Sequence, residues 1–293
     1  MLCVYHIADH DGKGSAAVVR SVYPETEFLG INHDMKIPYE EIEKHDKIVI
    51  CDYALPVDYM FELNKTRDVT WIDHHASVIE EYEQKMQTGE YEAIKGIRRS
   101  GTAVLCWEYY YPDRPVPEGV KLLGLNDVFD LRDPRVRPFE FAFQSLGTNK
   151  PDDEIWVKLF NNELDIAAIV EKGEAILSWI KMRNFRLVRS IAFESEINGL
   201  KCICANMPQG YSDFFDSVEN VMDYDVRINF FMNGHNKWNL SFYTYKDGID
   251  VSKLAASMGG GGHVKAAGCA LRGTLSQVKE ILVRAVEQEL ALL

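Results

Sequence analysis

No stretch of this chain approaches the ~20 uninterrupted apolar residues that a membrane-spanning helix needs. No membrane association is therefore expected. The opening residues, MLCVYHIADHDGKG, lack a basic start and a long apolar run, so no secretory signal is expected and the reading is cytoplasmic. Cysteine is sparse: Cys3, Cys51, Cys106, Cys202, Cys204 and Cys269, with no C-x-x-C pair among them. That argues against a disulfide framework or a structural zinc and for reduced core thiols. Cys202 and Cys204, two apart in a strand-like run, are expected to share a sheet face. Positive charge is also short. A net charge of −13 runs against a protein that coats long nucleic acid. It points to a small or short substrate, with no long duplex, and leaves room for bound cations. No internal repeat or low-complexity tract occurs.

What is present is ordinary globular composition: 293 residues, 46% hydrophobic and 26% charged, enough for one large or two modest domains. The first half alternates short apolar runs (LCVY, EFLGI, KIVICDY, VTWIDHH) with helix-like stretches, which predicts a parallel sheet. Runs such as KIVI, with Ile48, Val49 and Ile50 in succession, are apolar on both faces, as a buried parallel strand should be. Residues 100–133 read as helical with a break at YPDRPVPEG, and 164–187 as one long amphipathic helix. The texture then changes. IAFESEINGLKCICANM and DVRINFFMNGHNKWNLSFYTY read as two hairpins, each with an Asn-Gly pair. Thr274 and Gln277 form a capping box that opens a last helix carrying Val278, Ile281, Leu282 and Ala285 on one face. The expected class is α/β: a parallel-sheet domain over 1–185, a linker over 186–196, and a smaller α+β domain over 197–293.

In an open parallel sheet, ligands gather outside the carboxyl ends of the strands. LCVY is followed by His6, Asp9, His10 and Asp11; KIVIC by Asp52; VTWI by Asp73, His74 and His75. If those strands are neighbours, the side chains converge. Clustered buried carboxylates repel one another and resist ionisation, so such a group calls for cations. Carboxylates mixed with imidazoles suit manganese, zinc or iron better than calcium. Two ions sharing a carboxylate are the usual apparatus of phosphoester hydrolysis. In LLGLNDVFDLRD, Asp127, Asp130 and Asp133 recur at three-residue spacing and read by pattern as solvated acids. His33, His45 and His235 read as surface histidines; Trp156 and Trp179 read as packing residues. Arg98, Arg99 and Arg132 could meet phosphate or form surface ion pairs.

MGGGGHVKAAG, residues 258–268, holds four consecutive glycines, Gly259, Gly260, Gly261 and Gly262, followed by His263. Glycines are costly in conformational entropy and let backbone N–H groups approach a ligand closely. A substrate clamp is expected here, with VKAAG starting a close-packed helix.

Taken together, YHIADHDGKGSAA, VICDYALP, TWIDHHAS, LNDVFDL and GGGGHVKAAG resemble the successive motifs of the DHH phosphoesterase superfamily. More narrowly they resemble its RecJ-like and oligoribonuclease-like branch, whose DHH-associated C-terminal domain carries a GGGH motif. The resemblance covers nearly the whole chain, in order. It implies that His6 and Asp9 bind one metal and that Asp11, His74 and Asp127 bind a second, with Asp52 bridging. It implies that Asp73 orients His74 or touches the metals, and that His75 faces the scissile phosphate. Gly259, Gly260, Gly261, Gly262 and His263 would hold a terminal phosphate or nucleotide. The implied cofactors are two divalent ions, most often manganese, and the implied active site is an interdomain cleft. Only Ile7 and Ala8 separate His6 from Asp9, one residue fewer than in many members, and His10 has no assigned part.

The expected function is a metal-dependent phosphodiesterase that converts dinucleotides or very short oligonucleotides to mononucleotides. Cyclic dinucleotides and 3′-phosphoadenosine 5′-phosphate are the neighbouring substrates. An inorganic pyrophosphatase fits less well, because those relatives carry a different C-terminal domain. A degenerate nucleotide-binding module is the non-enzymatic alternative, and a homodimer is left open.

Overall fold

The computed structural model describes residues 1–32, 35–96, 101–147, 150–197, 199–208, 212–233, 237–274, 276–278 and 280–281. His33, Arg98, Arg99, His235, Leu282 and Ala285 lie outside these residues. Two compact units are present, Met1–Leu177 and Ser178–Leu293.

The first unit is built on β1 (Leu2–His6), β2 (Glu27–Ile31), β3 (Lys47–Cys51) and β4 (Asp68–Ile72). All pairs are parallel, in the order β2-β1-β3-β4. Side chains alternate across the sheet and both faces are dry. Cys3, Tyr5, Val49, Cys51 and Ile72 belong to one core, with Val18, Leu105, Phe139 and Trp156. That core draws on α1 (His10–Val22), α5 (Thr102–Tyr110), α6 (Glu118–Asp127), α7 (Val136–Phe143) and α8 (Glu154–Phe160). Leu2, Val4, Ile48, Ile50, Val69 and Trp71 belong to the other core, with Ile42, Phe61 and Tyr82. Those partners come from α2 (Tyr39–Ile42), α3 (Val57–Asn64) and α4 (Ala76–Met86). All six cysteines are buried.

The long amphipathic helix is α9 (Ile166–Ile191), and the division between units falls inside it. Its close fit on α7 needs a glycine: a Cβ on Gly173 would sit 1.8 Å from the Pro138 carbonyl oxygen. Residues 186–196, expected as a linker, are the end of α9 and most of β5 (Ala192–Ile197), so regular backbone hydrogen bonding runs through them. Trp179, expected to pack, is 56% exposed, with Arg183 over its ring; Trp156 is buried.

The second unit continues with β6 (Leu200–Asn206), β7 (Val226–Met232), β8 (Lys237–Tyr243), α10 (Val251–Ser257), β9 (Gly261–His263) and β10 (Ala266–Arg272). The sheet order is β5-β6-β7-β8-β10-β9, antiparallel except for β6 against β7. Both expected hairpins form, and Cys202 and Cys204 share the face that packs Val226, Ile228, Leu240 and Phe242 with Val251, Leu254 and Ala255 of α10. The Thr274–Gln277 capping pair also forms, with Gln277 Oε1 accepting from the Thr274 N–H at 2.9 Å. VKAAG is not helical. It turns the chain from β9 into β10, because β8 supplies a full antiparallel ladder to Ala266–Arg272. No described helix is long and apolar enough to cross a membrane.

Candidate metal centre

Three neighbouring strands end in line. Tyr5 pairs with Cys51, and Cys51 with Ile72. The next residue on each strand is His6, Asp52 and Asp73, so one row of polar side chains crosses the carboxyl edge of the sheet. Asp52 takes a left-handed backbone (φ 54°), a conformation that Asp tolerates better than most residues. Its N–H still donates to the Ile72 carbonyl at 3.1 Å.

Loops and helix ends add the rest. Asp9 caps α1, its Oδ1 accepting from the Gly12 N–H at 3.0 Å. Gly12 has to be glycine: a Cβ would lie 2.1 Å from the His6 carbonyl oxygen and 3.0 Å from Asp52 Oδ2. Asp11 is buried in the first turn of α1 and accepts two N–H groups from the start of α5, Thr102 at 2.8 Å and Ala103 at 3.0 Å. Asp127 is the last residue of α6.

The structure brings these side chains into neighbouring groups: Asp52 belongs with His6 and Asp9, belongs also with Asp73, His74 and His75, and meets the Asp11–His74–Asp127 group through His74. His6 Nδ1 lies 3.2 Å from Asp9 Oδ2 and 3.7 Å from Asp52 Oδ2. On the other side, His74 Nε2 lies 3.2 Å from Asp52 Oδ1 and 3.2 Å from Asp127 Oδ2. Potential ligand atoms of His6, Asp9 and Asp52 all fall within 4.8 Å of one another, and so do those of Asp11, His74 and Asp127. Asp52 thus turns one oxygen toward each group.

Charge is the problem this arrangement poses. Burial, then Asp127 and Asp52, raises the Asp11 pKa well above the usual carboxylate range. Burial pushes Asp127 up to about 7; His74 opposes this, while Asp52 and Asp9 add to it. Burial works against charge on His6, but Asp52 and Asp9 outweigh it and push its pKa up to about 10. His74 is likewise pushed up to about 9, with burial opposed by Asp52, Asp127 and Asp11. Asp127 Oδ2 is buried, with His74 Nε2 beside it at 3.2 Å but no well-directed hydrogen bond. Carboxylates in excess over imidazoles, a buried Asp127 oxygen whose near neighbour is the His74 ring, and two compact O/N donor groups fit divalent cations.

Asp73 plays a different part. It is fully buried, and its Oδ1 accepts the N–H of His74 (2.7 Å), the N–H of His75 (3.1 Å) and His75 Nδ1–H (2.6 Å). Oδ2 accepts the Trp71 indole N–H at 3.0 Å. Burial alone would raise its pKa, but these donors hold it below the usual range. The ring that Asp73 orients is therefore that of His75. His10 turns away from the cluster, with Nδ1 2.7 Å from Glu140 Oε1 and its ring against Phe143 and Trp156. Asp130 and Asp133 pair with Arg132 and Arg135, as solvated acids would. His45, expected at the surface, is half-buried and 3.9 Å from Glu27.

Sequence reading misses Thr102. It is fully buried, and its Oγ1 donates to Asp52 Oδ1 at 3.1 Å. The glycine run also has a sharper explanation. A Cβ on Gly260 would sit 2.1 Å from the Gly268 carbonyl oxygen, and Gly262 has φ 136° with Ala267 Cα 2.6 Å from a Cβ position. Close pairing with β10 therefore requires both. A Cβ on Gly261 would meet nothing within 4 Å.

No family model matches the chain. Among curated proteins it is 23% identical over 297 residues to an uncharacterized protein of Acanthamoeba polyphaga mimivirus, covering 92% of this chain and 67% of the relative. Among solved structures, the DHH domain of a member of a family of ribosomal proteins matches with a TM-score of 0.58 at 13% identity, covering 97% of this chain and 86% of that one. The pGpG-specific phosphodiesterase PggH from Vibrio cholerae matches with a TM-score of 0.51 at 12% identity, covering 98% of this chain and 99% of that one. The fold of this chain is therefore the DHH fold.

Proposed function

We propose that the chain is a divalent-metal-dependent phosphodiesterase that hydrolyses dinucleotides or very short oligonucleotides to mononucleotides. The observation that carries this reading is Asp52, whose two oxygens face two separate ligand groups. His6, Asp9 and Asp52 would hold one ion, and Asp11, His74, Asp127 and Asp52 the other, with manganese the expected metal. When bound, such ions supply Lewis acidity, lowering the pKa of a coordinated water and offsetting charge on phosphoryl oxygens.

The chain's own residues do the rest. Asp73 accepts a hydrogen bond from His75 Nδ1–H, which would leave Nε2 to serve the leaving group. Gly261 and His263, with the flanking Gly259, Gly260 and Gly262, receive a terminal phosphate or nucleotide, since Gly261 leaves open space for close approach. The net charge of −13 and the likeness to a pGpG-specific phosphodiesterase favour a short substrate over a long strand. Cyclic dinucleotides and 3′-phosphoadenosine 5′-phosphate are the second choice. A degenerate binding module is disfavoured by the complete donor set.

Product analysis with manganese tests this on a 5′-phosphorylated dinucleotide, a longer single strand, a cyclic dinucleotide, 3′-phosphoadenosine 5′-phosphate and pyrophosphate. Mononucleotide release from the dinucleotide, lost in Asp52→Asn, is the expected result. No turnover on any of the five, by a protein that binds no metal, would sink the reading.

A further inference from the structure

We infer that Thr102 is the positioning residue for Asp52, fixing how that carboxylate divides its two oxygens between the two ligand groups; the inference rests on Asp52 bridging two ions. The terminal torsion of an aspartate is broad, so a carboxylate that must serve two partners needs a pin. Two features of the chain supply one. The missing Cβ of Gly12 leaves room for Asp52 Oδ2, on the side of His6. The Thr102 hydroxyl donates to Oδ1 at 3.1 Å, on the side of His74. A carboxylate oxygen has two lone-pair sites, so Oδ1 can accept from Thr102 and still ligate.

Thr102 also ties the pin to the second group. Its N–H donates to Asp11 Oδ2 at 2.8 Å while its hydroxyl holds Asp52. One residue at the start of α5 thus registers two expected ligands that are separated by forty-one positions of sequence (52 − 11). The hydroxyl does not cap its own helix, and the preceding Gly101 offers no side-chain cap. The Asp11 carboxylate takes up the first α5 N–H groups instead, which leaves the Thr102 side chain for Asp52.

The test is calorimetric titration of manganese into metal-free full-length protein, with wild type, Thr102→Val and Thr102→Ser compared. Melting of the metal-free proteins is followed in parallel, together with kcat and KM on a 5′-phosphorylated dinucleotide. Valine removes the hydroxyl at nearly constant shape; serine keeps it. Wild type is expected to bind two ions. Thr102→Val is expected to weaken at least one of them by roughly 10- to 100-fold, as loss of groups that orient ligands does elsewhere. Its kcat should fall with KM little changed, its metal-free form should stay folded and melt in a single transition, and serine should restore both ions. If Thr102→Val fails to fold, Thr102→Ala removes the same hydroxyl and is read in its place. Two ions bound with wild-type affinity in the hydroxyl-less variant would overturn the positioning role and leave Asp52 bridging intact. Serine behaving as badly as valine would also overturn it. Fewer than two ions in wild type would remove the bridging reading and the inference with it.

Discussion

Asp73 Oδ1 lies 2.6 Å from His75 Nδ1 and holds the backbone N–H groups of His74 and His75 as well. A single oxygen thus fixes both the ring and the backbone of the strand end. Asp73→Asn keeps the shape but must place an NH2 against either the His75 donors or the Trp71 indole N–H. Turnover is expected to fall roughly 100-fold or more, by analogy with other histidines that lose their orienting carboxylate, with metal stoichiometry retained. Steady-state kinetics beside manganese titration checks this; unchanged kcat would remove His75 from the chemistry.

Gly12→Ala is expected to destabilise the first unit. The added methyl meets the backbone of His6 rather than a flexible side chain, so β1 and α1 have to separate. Overpacking of this kind costs about 1–3 kcal/mol or more. Denaturant unfolding of the metal-free protein measures it, and manganese binding should weaken at the same time.

Gly261→Ala and Gly262→Ala should behave oppositely. Gly261 has open space around its Cβ position, so alanine there should leave melting within about 0.5 kcal/mol of wild type. If a phosphate approaches that backbone, KM for the dinucleotide rises several-fold. Gly262 sits at φ 136° against β10, so alanine there should unfold the hairpin first. Equal effects of the two on melting would contradict the hairpin geometry.

Metal removal should be felt by the fold as well as by catalysis. With the carboxylates crowded at one sheet edge, a chelator is expected to lower the melting temperature by several degrees at neutral pH, and manganese to restore it. Calcium should restore less, because imidazole belongs to both donor groups. Scanning fluorimetry with and without each ion reads this directly.

The second unit carries a separate pH-sensitive tie. Burial would raise the Asp225 pKa, but Lys246 Nζ at 2.6 Å and the Lys201 N–H at 2.7 Å outweigh it and hold it low. A depressed carboxylate contributes stability that is complete above its unfolded value near ~3.9 and is lost as pH falls through the folded value. Asp225→Asn should therefore be less stable than wild type at pH 7, by about 1 kcal/mol. The gap should close as pH drops below about 4. Urea unfolding at both pH values tests the sign; a gap that widens in acid would be the wrong one.

The first sheet is legible in the sequence because its strands are apolar on both faces and each breaks into acid or histidine at the same end. The carboxyl-edge rule then places His6, Asp52 and His74 together without any knowledge of distance. Thr102 is not legible, because a threonine at a helix start reads as routine capping and its partners lie 91 and 50 residues away. The segment after the glycines reads as a helix start for a related reason. Glycine and alanine carry no periodic pattern, so the ladders from β8 and β9 decide that Ala266–Arg272 is extended. The part His10 plays is invisible because its partner, Glu140, is 130 residues away.

The left-handed backbone at Asp52 constrains how the chain can drift. The position selects its occupant twice, once for a short carboxylate and once for a φ of 54°. Glutamate keeps the charge but lacks the short side chain that eases this conformation; asparagine and glycine keep the conformation but lose the charge. Replacements at this position that leave the sheet beneath unchanged should therefore be asparagine or glycine before any other residue.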